Sequence, residues 1–146
     1  MQKTSSKIVI GRIEKINLPN LSLFNLDAKI DTGAYTSSLH CHKITTKLVD
    51  DKLWVYFCVL DPDHPEYEER SFSCPVHKIK NVKSSNGVIE ERVIIKQKVS
   101  FFGKKGEIQL SLTNRAEMKY PVLIGRRFLA DKYIVDVSQK YIYKKD

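Results

Sequence analysis

The 146-residue sequence is poor in cysteine and in long apolar runs, and each shortage excludes something. Its three cysteines, Cys41, Cys58 and Cys74, are an odd number with no C-x-x-C spacing. A disulfide-stapled scaffold is therefore not expected, and a reducing cytoplasm is. The longest apolar stretch, Leu53–Leu60, has eight residues, whereas a membrane helix needs roughly 20. Ahead of Gly11 only Ile8-Val9-Ile10 is continuously apolar, too short for a secretory signal. Neither H-E-x-x-H nor G-x-x-x-x-G-K-[ST] occurs, so no ATP site is expected in this chain.

What the sequence does contain is an ordinary globular balance, 42% hydrophobic and 29% charged, which sets it apart from disordered chains. The length suits one domain, residues 1–146, with a core of its own. Lys and Arg number 25 against 17 Asp and Glu, a formal net charge of +8. Such an excess attracts polyanions. The cations are nevertheless scattered. The nearest thing to a run, Lys78–Lys83, alternates as an exposed strand face does, so nucleic acid is not the expected partner.

The dominant period is two. Ile108, Leu110 and Leu112 alternate with Glu107, Gln109 and Ser111, and Val99 and Phe101 alternate with Lys98 and Ser100. These are half-buried strands. Leu53–Leu60 is apolar on both faces, as in a central strand or one covered by a second subunit. Its Trp54, Tyr56 and Phe57 read as core more readily than as a stacking platform for bases. Turn residues recur at Leu18-Pro19-Asn20, Asp61–Pro65, Ser84–Gly87 and Phe102–Gly106. Helix signals are confined to Arg115–Lys119 and Arg126–Lys132. Many short strands with regular turns make an all-β sandwich or barrel.

Chemistry concentrates in Ala28-Lys29-Ile30-Asp31-Thr32-Gly33-Ala34. Alternation puts Leu26, Ala28 and Ile30 on one face, and Asp31 at the end of the strand before a turn of small residues. Backbone N–H groups can hold a carboxylate there, and Gly33 lets the chain pass close by. A second strand-like stretch, Thr36–Ile44, follows. Much later comes Val122-Leu123-Ile124-Gly125-Arg126, bulky apolar residues and then Gly.

A D-T-G turn paired with a later apolar-apolar-Gly segment resembles the retropepsins, the one-motif aspartic proteases. More narrowly, the chain resembles a bacterial and archaeal retropepsin-like family. That family carries a label naming an ATP-dependent zinc protease and is associated with ATP-grasp ribosomal-protein glutamate ligases. The matching stretches are Asp31–His40, Lys83–Ile94, Leu112–Met118 and Leu123–Arg126. Tyr35 stands where the family usually has a basic residue, and Ser38 where it usually has Ala.

The resemblance implies a closed acid-protease barrel with one or two short helices. It implies that Asp31 is the catalytic carboxylate, supported by Thr32, Gly33, Ala34, Gly125 and Arg126. Tyr35, Thr36 and Ser37 would line the substrate cleft. Aspartic proteases need two carboxylates that share a proton. One Asp-Thr-Gly per chain therefore requires a homodimer with Asp31 from each copy on the two-fold axis. Asp136 has no Thr-Gly after it and is expected to be structural. The terminal segments Tyr133–Val137 and Lys140–Tyr143 alternate like paired strands and, as in retropepsins, would form the dimer contact. The flap would be the Asp61–Glu69 loop or the Ser84–Gly87 turn.

The implied substrate is a peptide or a glutamate tail, with an ATP-grasp ligase as a further partner. Two alternatives remain. One is a non-catalytic module that holds a peptide or partner in the same cleft. The other is a zinc hydrolase using His40 and His42, which share a strand face, with His64, His77 or Cys74 in reserve. The residues favour the bland reading of His40-Cys41-His42, a surface face with Cys41 buried, and no cofactor is expected.

Overall fold

Most of the period-two alternation is realised as strands. The computed structural model describes residues 6–60, 70–83, 86–114 and 119–144. Among them the order is β1 (Ile8–Ile10), β2 (Ile13–Leu18), β3 (Leu23–Ile30), β4 (Ser37–Val49), β5 (Lys52–Val59), β6 (Ser71–Pro75), β7 (Lys78–Lys83), β8 (Ile89–Phe101), β9 (Lys104–Thr113), β10 (Val122–Ile124), α1 (Arg126–Leu129) and β11 (Tyr133–Val135). The expected helix from Arg126 is thus a single turn. The other expected helical turn falls mostly on residues 115–118, outside the described residues.

Strand pairing runs β10-β3-β2-β8-β9-β4, and β4 pairs back to β10. Six strands so form a ring. It is only partly closed, because β2 meets β8 through one residue pair, Asn17 and Ser100. The ring encloses the apolar faces of its strands: Leu26, Ala28 and Ile30 from β3, Leu39 from β4, Ile95 from β8, Leu110 from β9 and Ile124 from β10 are all buried.

β4 serves two sheets. Its first half pairs with β9 and β10, and its second half with β5. The register shifts after His42, where Lys43 takes the left-handed region at φ 55°. A bulge of this kind bends a strand and lets it leave one sheet for another. β5 then lies between β4 and β6, as a central strand should. Val55, Phe57 and Val59 are buried, and Phe57 stacks on Phe72 at 5.8 Å between ring centroids.

The terminal segments meet the expectation only in part. β11 pairs parallel with β1 in a separate two-stranded sheet. Lys140–Tyr143, expected as a strand, is not one. It lies along the start of β2 in its own chain: Tyr141 N–H donates to Ile13 O at 2.8 Å, and the Tyr143 ring sits 5.0 Å from that of Phe102. Phe101, Phe128 and Tyr133 pack together at 5.4–5.9 Å and hold α1 and β11 against the end of β8.

Glu14 anchors this arrangement. Its side chain is buried, at 1% exposure, and Oε2 accepts hydrogen bonds from Gly11 N–H at 2.7 Å and Ile142 N–H at 3.2 Å. Truncation would strand two backbone donors. Glu14→Ala is expected to lower stability by roughly 1–3 kcal/mol, read as a shift in the urea unfolding midpoint.

Candidate active site

Asp31 follows directly on β3, and its N–H donates to Ile124 O at 2.8 Å, extending the β3–β10 pairing by one residue. The chain then turns sharply. Ala34 N–H donates to Asp31 O at 3.2 Å, and Gly33 N–H donates to the Asp31 carboxylate Oδ1 at 3.1 Å. A donor inside the turn fixes the position of the carboxylate. Gly33 fits because a Cβ there would lie 3.3 Å from that same Oδ1.

β10 enters between β3 and β4, parallel to the first and antiparallel to the second. Immediately after it, Gly125 passes beneath the Asp31 turn. A Cβ on Gly125 would stand 2.8 Å from the backbone oxygens of both Ala34 and Tyr35. Those two oxygens accept from Arg126 N–H at 2.8 Å and Arg127 N–H at 3.0 Å. Gly125 N–H in turn donates to Ser37 Oγ at 3.0 Å. The Arg126 guanidinium reaches over the turn and donates to Thr32 O at 3.3 Å and Gly33 O at 3.1 Å.

The structure thus brings Asp31, Thr32, Gly33, Ala34, Gly125 and Arg126 into one assembly. The expected cleft residues divide. Thr36 lines a cavity of about 210 Å³ together with Asp31 and Ala34. Tyr35 instead lies under the guanidinium groups of Arg126 and Arg127, 5.5 and 5.7 Å from its ring centroid. Ser37 is a correction: it is buried at 2% exposure, with its hydroxyl taken by Gly125, so it braces the crossing and does not face the cavity.

The other wall of the cavity carries residues that the sequence did not single out as functional. Lys80 and Val82 of β7 and Arg92 and Ile94 of β8 line it, with Ser111 and Thr113 from β9. β7 and β8 form the hairpin whose register runs out to Lys83 and Ile89. Alternation in Lys78–Lys83 signalled one face of a strand, but not what that face looks onto. Of the two flap candidates, residues 61–69 and 84–85 lie outside the described residues.

Comparison with known proteins gives this geometry a context. A model of the family described as "Retropepsin-like aspartic endopeptidase RimB" matches residues 9–146. The chain belongs to this RimB-like family. It is 34% identical over 142 residues to a Shewanella halifaxensis protein named "Probable alpha-L-glutamate ligase", covering 94% of this chain and 30% of that protein. A Parasynechococcus marenigrum protein of the same name is 34% identical over 134 residues, covering 89% and 28%. The chain therefore spans under a third of these curated relatives. The crystal structure of the Legionella pneumophila protein Lpg0085, described as of unknown function, superposes with a TM-score of 0.74 at 26% identity, covering 95% of this chain and all of that one. No helix among the described residues is long and apolar enough to cross a membrane.

The His40-Cys41-His42 stretch corrects the surface reading. Leu39 to His42 are four successive buried residues, so both faces of β4 are covered here. His40 is fully buried, and His42 Nδ1 hydrogen-bonds to Leu60 O. Among the described residues no group of three His, Cys, Asp or Glu side chains converges. His40 and His42 thus have no third ligand there, and His64 is outside the described residues. Burial pushes the Cys41 thiol up to about 12, against a smaller lowering by a hydrogen bond with the Thr113 backbone, so it is a poor nucleophile. Asp136 closes a local turn. Its carboxylate accepts from Ser138 Oγ at 2.6 Å and Gln139 Nε2 at 2.7 Å, and these bonds hold it below the usual carboxylate range.

Gly125→Ala tests the crossing. The added methyl has only backbone to push against, so the Asp31 turn must shift. The variant is expected to lose roughly 1–3 kcal/mol of stability, visible as a lower thermal midpoint.

Proposed function

We propose that this chain is an aspartic-type peptidase whose carboxylate is Asp31, with residues 1–146 acting as one retropepsin-like domain in the cytoplasm. The observation that carries this reading is the Asp31 carboxylate, which Gly33 N–H holds at the wall of a cavity that the β7–β8 hairpin also lines. Two copies would set their Asp31 side chains about one water molecule. Adjacent carboxylates share a proton, because both cannot ionise cheaply. The ionised one takes a proton from the water, and the resulting hydroxide adds to the scissile carbonyl carbon. The protonated one donates to the carbonyl oxygen. The tetrahedral intermediate then collapses, with the proton passing to the amide nitrogen as the C–N bond breaks. No residue of the chain becomes covalently attached to substrate.

The relatives' name supports a substrate class. They are named as glutamate ligases, and this chain matches less than a third of them. We infer that it hydrolyses the kind of amide such a ligase makes, in a glutamate tail or acidic peptide, and that a ligase is its partner. The β7–β8 hairpin, with Val88 and Ile89 exposed near its tip, would serve as the flap. The β1–β11 sheet, which exposes Val9 and Ile134, would form the dimer contact. The ligase names also support a second reading, a non-catalytic module that holds such a tail.

Asp31→Asn decides between them. It keeps an oxygen for Gly33 N–H and so should fold with little loss of stability. Hydrolysis of a glutamate-rich peptide should fall by about 1,000-fold or more. A wild-type chain that binds the peptide and never cleaves it would instead establish the holding role. Hydrolysis should survive a chelator and be blocked by a peptide mimic carrying a tetrahedral hydroxyl. A further expectation concerns assembly: Ile134→Lys should weaken the dimer in sedimentation and make activity steeply dependent on protein concentration.

A further inference from the structure

We propose that Lys80 and Arg92 form a carboxylate-binding subsite in the Asp31 cavity and determine which peptides it accepts. The inference rests on the peptidase reading and deepens it by assigning specificity to named residues. Lys80 and Arg92 are direct cross-strand partners on the β7–β8 hairpin, and both line the cavity with Asp31. Like charges placed directly opposite each other destabilise a hairpin. An anion held between the two cations would relieve that repulsion.

The surroundings fit that role. Val82 and Ile94, next on the same hairpin face, supply apolar walls, and Ser111 and Thr113 add hydroxyl-bearing side chains. Asp31 is the one carboxylate among the described lining residues. A substrate acid would be repelled by Asp31 unless cations stood beside it, and Lys80 and Arg92 are those cations. The Arg92 side chain is 17% exposed and its guanidinium meets Glu90 at 3.3 Å. The Glu90 side chain is 57% exposed, and surface pairs of this kind are weak. A substrate carboxylate can therefore displace Glu90, which orients Arg92 until then.

Two carboxylates of a peptide have the required chemistry, a glutamate or aspartate side chain and a free C-terminal carboxylate. Matched peptides separate them: one series pairs internal Glu with Gln, and the other pairs a C-terminal acid with its amide. The readout is the ratio of kcat/KM for the acidic member to that for the neutral one, in wild type, Lys80→Glu, Arg92→Gln and Lys80→Arg. Lys80→Glu faces Arg92 across the strands and forms an opposite-charge pair, so the hairpin is not weakened. The acid-to-neutral ratio should fall on the order of 10–100-fold in Lys80→Glu and in Arg92→Gln, and Lys80→Arg should keep it near the wild-type value. The series whose ratio falls identifies which carboxylate is bound.

Ratios that stay the same in both series, with hydrolysis continuing, would overturn the subsite and leave the peptidase reading standing. The same peptides are also titrated against Asp31→Asn protein by fluorescence anisotropy, with and without Lys80→Glu. Affinity for the acidic peptide that depends on Lys80, in a chain that hydrolyses nothing as wild type, would uphold the subsite and remove the peptidase reading. Affinity that is indifferent to Lys80 would overturn the subsite by this route as well.

Discussion

The close approach of Gly125 to the backbone of Ala34 and Tyr35 is the constraint on which the rest of this site depends. β10 is three residues long and would be a weak strand on its own. It is held because it slots between β3 and β4, and because the chain leaving it donates two N–H groups to the oxygens of the Asp31 turn at 2.8 and 3.0 Å. Any side chain at position 125 would meet those oxygens first. The pairing of β10 with β4 just before it closes the six-strand ring, and the Gly125 contact fixes where the Asp31 turn stands. Arg126 then clamps the turn from its exposed side through Thr32 O and Gly33 O. Fold and site are thus secured by one set of backbone contacts.

The strand architecture and the Asp31 turn were legible in the sequence because local rules govern both. Leu26, Ala28 and Ile30 face the core by alternation alone, and Asp31-Thr32-Gly33 has the small residues a tight turn requires. Val122–Gly125 was legible as apolar strand followed by glycine. What it packs beneath came from the family resemblance, since nothing local ties residue 125 to residue 34.

Other features depended on tertiary placement and were misread or missed. His40 and His42 look like one face of a surface strand, yet β4 is covered on both sides at that point. Ser37 alternates with Thr36 and Ser38, and only the position of Gly125 N–H shows that its hydroxyl is engaged. Lys140–Tyr143 carries strand-like alternation, but Glu14 and Ile13 hold it against its own chain with Tyr141 in the left-handed region at φ 53°. Lys80 had no sequence signal beyond its charge, and Arg92 lay in the family-matching stretch Lys83–Ile94 with no role assigned to it. They meet across a hairpin and reach Asp31 only because β8 spans the ring and β7 is appended to its outer half.

The central claim is that two Asp31 carboxylates from separate chains act on one water. Mixing subunits tests it most directly. Wild-type and Asp31→Asn chains, combined in varied proportion at constant total concentration and allowed to exchange, would form mixed dimers under the proposed assembly. If the carboxylates act as a pair across the two-fold axis, activity falls with the square of the wild-type fraction. A linear fall would mean that each chain carries a complete site, and it would contradict the shared dyad.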